Sequence, residues 1–175
     1  DVGNHQMWAA QSLRLSKNQA IHYSGGMGAM GFALPAAIGV ALQSQKKAIV
    51  ISGDGSLQIN IQELDTLKRL NLDLAIIVMN NSVLGMVKNF QDMYFDGRDQ
   101  SAKKGYSSPS FFDIAKAYGI QSYRVTNIVE MNEILIILSS FKGPMLIEVI
   151  MNDAIECRPR LVFGSKLDEQ FPKFE

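Results

Sequence analysis

Two stretches of the chain are apolar without a break. Lys47 to Ser52 (KAIVIS) is rich in β-branched residues and runs into Gly53-Asp54-Gly55. Leu74 to Met79 (LAIIVM) repeats the pattern and runs into Asn80-Asn81. Continuous rather than alternating apolar runs suit parallel strands covered on both faces. Between them, Ile61, Leu64, Leu67 and Leu70 recur every three to four positions, which predicts one amphipathic helix over residues 57–70. Strand, helix, strand in this span is a right-handed βαβ unit.

The flanks continue the alternation. A small-residue apolar helix is predicted over 32–43, with Pro35 tolerated in its first turn. A helix over 83–95 carries Met86, Phe90, Met93 and Tyr94 at helical spacing. A shorter one over 111–118 enters through Ser110 as N-cap and closes at Gly119. A strand over 120–125, a helix over 129–139 and a strand over 145–151 complete the pattern. The predicted fold is α/β: a doubly wound, mainly parallel sheet flanked by helices. Residues 97–110 form a polar loop that could cover a site, and the tail after Met151 has no clear period.

Composition narrows the function classes. At 175 residues, one domain spanning 1–175 is expected, and 47% apolar with 19% charged residues is a globular balance. Seventeen basic residues offset seventeen acidic ones, so no net field favours nucleic acid or anionic lipid as a partner. Cys157 is the single cysteine, which excludes an internal disulfide and a cysteine-built zinc site. No apolar run reaches the roughly 18 residues of a membrane span, and no signal peptide opens the chain. A cytoplasmic setting is expected. The opening Asp1-Val2-Gly3-Asn4, without Met, reads as a piece of something longer.

The chemistry gathers at two strand ends, where open parallel sheets bind ligands. Asp54 brings a carboxylate and Asn81 a neutral amide oxygen, both hard ligands of the kind Mg²⁺ or Ca²⁺ takes. Gly55 and Ser56 open the following helix, where backbone N–H groups suit a phosphate. Together these favour a divalent cation clamped between the protein and a diphosphate. Asp-Gly and Asn-Asn are also ordinary turns, and either one alone says little. Upstream, Gly26-Met27-Gly28-Ala29-Met30-Gly31 satisfies GxGxxG, the dinucleotide fingerprint. That reading needs a strand directly before it, for which only Ala20 to Tyr23 is available, and it leaves Gly55, Ser56 and Asn80-Asn81 unexplained. No GxxxxGK[ST] is present.

Gly53-Asp54-Gly55-Ser56 followed by Asn80-Asn81 resembles the thiamine diphosphate motif that begins GDG and ends NN. Gly3-Asn4-His5-Gln6-Met7-Trp8, Ser24 to Gly31, Leu34-Pro35-Ala36-Ala37 and Leu84-Gly85-Met86-Val87 extend the likeness to the carboxyl-terminal cofactor domain of acetolactate synthases. It covers about residues 1–152; the tail past Ala154 shows no match. The resemblance implies thiamine diphosphate and Mg²⁺ as cofactors. Asp54, Asn81 and the backbone carbonyl of Val83 would be the metal ligands. Asn4, His5, Gly53, Gly55, Ser56, Gly85 and Met86 would border the diphosphate or thiazolium. Met30 would wedge between the two rings to hold the cofactor bent, and the carbonyl of Gly28 would meet the pyrimidine amino group.

The implied reaction is decarboxylation of a 2-keto acid such as pyruvate and ligation of the acyl unit to a second carbonyl, with no side chain assigned as acid or base. Two positions depart from the family. Asn4 replaces a glutamine, and Phe90 replaces a tryptophan of the substrate channel, which leaves open a keto-sugar acceptor of the kind used in surface-glycan synthesis. The implied partner is a pyrimidine-binding domain, usually on another chain of a homo-oligomer. FAD would belong to another domain of some full-length members. The chain alone is expected to be inactive or nearly so. A dinucleotide-binding module and an inactive assembly subunit are the competing readings.

Overall fold

The two uninterrupted apolar runs become neighbouring strands of one parallel sheet in a computed structural model, which describes residues 1–152 and 154–172. Strand β1 (Ala48–Gly53) pairs with β2 (Leu74–Asn80), Ala48 standing opposite Leu74 and Gly53 opposite Met79. With β3 (Gln121–Val125) and β4 (Met145–Ile150) they form a four-stranded sheet in the order β1-β2-β4-β3, every pairing parallel. Alternate residues serve opposite faces. Leu74, Ile76 and Val78 of β2 join one apolar cluster, and Ala75 joins another. Burial on both faces is why β2 carries no polar alternation; β1, at the edge of the sheet, leaves Ile49 exposed against the expectation of cover on both faces.

Helices cover each face. On one side α2 (Ala33–Ser44), α4 (Glu63–Leu70) and α6 (Phe111–Ala117) contribute Leu34, Ile38, Leu64, Leu67 and Phe111 to the core. On the other, α7 (Ile128–Ser140) packs Ile134 against Ala75, Met145 and Ile147. Ser110 caps α6 as expected, its hydroxyl accepting from the N–H of Asp113, and Asn127 caps α7 in the same way through Val129 and Glu130. Among the described residues, no helix is long and apolar enough to cross a membrane.

Three features differ from expectation. The single helix expected over 57–70 is two, α3 (Asp54–Ile59) and α4, interrupted at Asn60. The Asn60 amide donates to the carbonyl of Gly31 at 2.8 Å, a tertiary tie that outweighs continuous helical periodicity. Residues 20–23 form no strand; the chain from Leu13 to Phe32 is turns and irregular structure. It is held in place by the Asp1 carboxylate, which accepts from the N–H groups of Gly31 (3.0 Å) and Ala33 (2.9 Å). Two elements had no clear signal: α1 (Asn4–Ser12) and a small antiparallel pair in the tail, β5 (Arg160–Leu161) with β6 (Gln170–Phe171). The remaining helix, α5 (Gly85–Tyr94), follows β2 across a short turn.

Candidate functional site

β1 and β2 are adjacent, so their carboxyl ends deliver Asp54 and Asn80-Asn81 to the same edge of the sheet. A cavity of about 230 Å³ opens there. Asn4, His5, Gly28, Met30, Gly53, Asp54, Gly55, Ser56, Asn81, Val83, Gly85 and Met86 all line it. Four segments far apart in sequence therefore converge: the start of α1, the irregular 24–31 stretch, the β1–α3 junction, and the β2–α5 turn with the start of α5. Phe90 does not take part. It lies beside a second cavity of about 490 Å³ between α1, α5 and the tail, in a cluster with Tyr94 and Phe163. Met86 lines both cavities, so the two adjoin.

The polar groups are placed by their partners. Asp54 is buried, and burial pushes its carboxyl above the usual carboxylate range. The Tyr106 hydroxyl, which donates to Oδ2 at 3.0 Å, pulls the other way, as do the N–H groups of Asp54, Gly55 and Ser82. The Asn81 Nδ2 donates to the carbonyl of Ala154 at 2.7 Å, which commits the amide and leaves Oδ1 as its free end. Ser56 donates its hydroxyl to the Val2 carbonyl at 2.6 Å, tying α3 to the segment before α1. His5 is buried beside Gly53, and burial lowers its imidazole to about 3, so the ring is neutral.

Glycine is required here for close approach. A Cβ on Gly85 would collide with the Asn4 amide and stand 3.2 Å from the carbonyl of Ile155. One on Gly55 would overlap Leu84 and come 3.2 Å from Met30 Cε. The tail seals the far wall. Asn4 Nδ2 donates to the Ile155 carbonyl at 2.8 Å, and Trp8 Nε1 donates to that of Glu156 at 3.1 Å.

At this cavity two buried polar atoms, Asn4 Oδ1 and His5 Nε2, have no hydrogen-bond partner among the described residues. Orphaned polar atoms at a cavity wall are what a polar ligand would satisfy. Among the described residues no group of three or more His, Cys, Asp or Glu converges to hold a metal. A cation here would meet one carboxylate, one amide oxygen and a backbone carbonyl, and would need further oxygens from its ligand. That sparse oxygen set suits Mg²⁺ shared with a diphosphate. The residues fit the implied group.

Tyr106, Leu84 and Trp8 also belong to this site and were not singled out from the sequence. Tyr106 lies in the polar 97–110 loop, and Leu84 lies inside the Leu84-Gly85-Met86-Val87 match, so a trace of each was present. The dinucleotide reading lacks its strand, since nothing regular precedes Gly26.

A parallel α/β sheet with this constellation at its carboxyl edge defines a diphosphate-cofactor domain, and the comparisons agree. The chain belongs to the family described as "Thiamine pyrophosphate enzyme, C-terminal TPP binding domain", whose model matches residues 1–149. It is 38% identical over 165 residues to the acetolactate synthase large subunit of Cyanidium caldarium, covering 94% of this chain and 28% of that protein. It is 36% identical over 174 residues to the acetolactate synthase isozyme 2 large subunit of Escherichia coli, covering 99% and 32%. That alignment extends into the tail past Ala154, where the sequence alone showed no likeness. The chain therefore spans less than a third of the length of these relatives.

Proposed function

We propose that this chain holds thiamine diphosphate and Mg²⁺ for an enzyme that decarboxylates a 2-keto acid, such as pyruvate, and ligates the acyl unit to a second carbonyl. When bound, the cofactor supplies the electron sink for that chemistry. Asp54, Asn81 Oδ1 and the Val83 carbonyl would hold the cation. Asn4, His5, Gly53, Gly55, Ser56, Gly85 and Met86 would border the diphosphate and thiazolium. His5, kept neutral by burial, offers Nε2 without placing another positive charge beside the metal. Met30 would separate the two rings, and Gly28 would present its carbonyl to the pyrimidine. Met30, Val83, Leu84 and Met86 give the cavity an apolar wall, which would limit water beside the bound cofactor. No side chain is assigned as a general acid or base.

One observation carries this reading. Asp54 and Asn81 end neighbouring parallel strands and line a single cavity with the unpartnered Asn4 Oδ1 and His5 Nε2. Ligand-induced thermal stabilisation tests it. Mg²⁺ with thiamine diphosphate should raise the Tm, neither alone should do so to the same extent, and NAD should do nothing. Asp54→Ala should remove the response. Stabilisation by NAD would replace this reading with a dinucleotide module. No response to either ligand would support an inactive assembly role.

The remainder of the activity would come from outside this chain. The expected contributor is a pyrimidine-binding domain on another chain of a cytoplasmic homo-oligomer. Accordingly, the 175-residue chain alone should turn over pyruvate negligibly. A keto-sugar acceptor is the second reading. It is supported by the second cavity, about twice the volume of the first, and by Phe90 standing where the family resemblance puts a tryptophan. Acceptor competition in the full-length enzyme, with products identified by mass spectrometry, separates the two.

A further inference from the structure

We infer that Glu148 is a positioning residue for the cation-holding turn between β2 and α5, acting through Asn80; the inference rests on the proposed Mg²⁺ and thiamine diphosphate site. Glu148 lies on β4 with only 1% of its surface exposed, on the sheet face that also buries Leu146 and Phe111. A carboxylate in such a place is costly unless fully satisfied. It is satisfied. Oε2 accepts from the Phe112 N–H (3.2 Å) and from Nε (3.2 Å) and Nη2 (3.1 Å) of Arg124, its neighbour in register on β3. Oε1 accepts from the Phe111 N–H at 3.3 Å and from Asn80 Nδ2 at 2.8 Å.

The shortest of these bonds points toward the site. Asn80 is the first asparagine of the pair, and its Oδ1 accepts from the N–H (3.2 Å) and hydroxyl (3.4 Å) of Ser82. Ser82 has φ 54°, a left-handed conformation that costs a non-glycine residue energy and has to be held from outside. It sits between Asn81 and Val83, the two proposed ligands of the turn. An ionised carboxylate only accepts hydrogen bonds, so it dictates which end of the Asn80 amide it meets. Glu148 thereby turns the Asn80 oxygen toward Ser82, and Asn80 in turn holds the backbone of the turn that carries the two proposed ligands, Asn81 Oδ1 and the Val83 carbonyl. A glutamine at 148 keeps the shape but can present its own NH₂, and so loses command of that orientation.

The test titrates Mg²⁺ at saturating thiamine diphosphate in the intact protein, by calorimetry or with Mn²⁺ resonance as a probe, for wild type, E148Q, N80A and the double variant. E148Q and N80A should each weaken the cation about tenfold or more. The double variant should be no weaker than N80A alone, because both act through one contact. A purely structural role would lower the Tm of E148Q while leaving cation affinity unchanged, and that result would overturn the inference, as would losses that multiply in the double variant. Should E148Q fail to fold, N80A decides alone: unchanged Mg²⁺ affinity refutes the role. A wild-type protein showing no Mg²⁺-dependent cofactor binding would instead refute the functional reading on which this rests, and this inference with it.

Discussion

The hydroxyl of Tyr106 meets the carboxylate of Asp54 at 3.0 Å, joining a polar loop to the end of β1 across 52 positions of sequence. Gln58 Nε2 reaches the same hydroxyl at 3.4 Å. Burial of the phenol, and then the proximity of Asp54, push the Tyr106 hydroxyl well above its usual range, so it remains a donor. Tyr106→Phe should therefore cost the ligand-free chain roughly 1.5–3 kcal/mol, the usual worth of a hydrogen bond to a charged group. Urea unfolding measures it. An unchanged midpoint would mean that the loop contributes nothing to holding Asp54.

His5 makes stability depend on pH with a definite sign. Its imidazole titrates near 6.5 when unfolded and at about 3 when folded, because burial disfavours the cation. The unfolded chain then binds the extra proton first. The stabilisation is full above pH 6.5 and is lost as pH falls toward 3, at a limiting slope of about 1.4 kcal/mol per pH unit. His5→Gln should flatten that part of the profile. Parallel profiles for the variant and the wild type between pH 7 and 4.5 would contradict the assignment.

Asp54 sets function against stability. Its carboxyl is raised by desolvation, so the favourable contribution belongs to the protonated form and is lost as pH rises through the folded value. At neutral pH the ligand-free chain carries the cost of a buried charge. Asp54→Asn should raise the Tm of the ligand-free chain while removing its response to Mg²⁺ with thiamine diphosphate. A variant that lost both stability and response would show that the carboxylate is structural instead.

Gly85 admits no side chain without disturbing the tail. The added methyl of Gly85→Ala would displace the Asn4 amide, 3.0 Å away at Cγ, and break its bond to Ile155. Overpacking of this kind costs roughly 1–3 kcal/mol. The expected signature is local. Limited proteolysis should cut the tail beyond Ala154 faster in the variant, and equal cleavage rates would show that the Asn4–Ile155 bond does not anchor it.

Much was legible before any coordinates. LAIIVM announces a doubly buried parallel strand because a strand with no wet face has no reason to alternate, whereas KAIVIS lies at the sheet edge and leaves Ile49 exposed. Gly53-Asp54-Gly55 and Asn80-Asn81 announce a site because strand ends of such a sheet are where ligands bind. Phe90 is expected beside a substrate channel and lines the cavity that adjoins the cofactor cavity; helical spacing tells which face it occupies but not what that face meets. Periodicity alone predicts a continuous helix over 57–70, because it carries no trace of the bond from Asn60 to Gly31.

What the chain alone determined was local and periodic: which segments are strands or helices, and which short motifs carry oxygen donors. Tertiary structure decided the rest. Tyr106 on Asp54, Glu148 on Asn80 and the tail carbonyls on Asn4, Trp8 and Asn81 join positions that lie from 52 to 151 residues apart. Each is a directional hydrogen bond between buried or half-buried groups, and its value depends on a geometry that exists only once the sheet has formed and water has been displaced. Nothing periodic links such positions along the chain, so only the folded molecule reveals them.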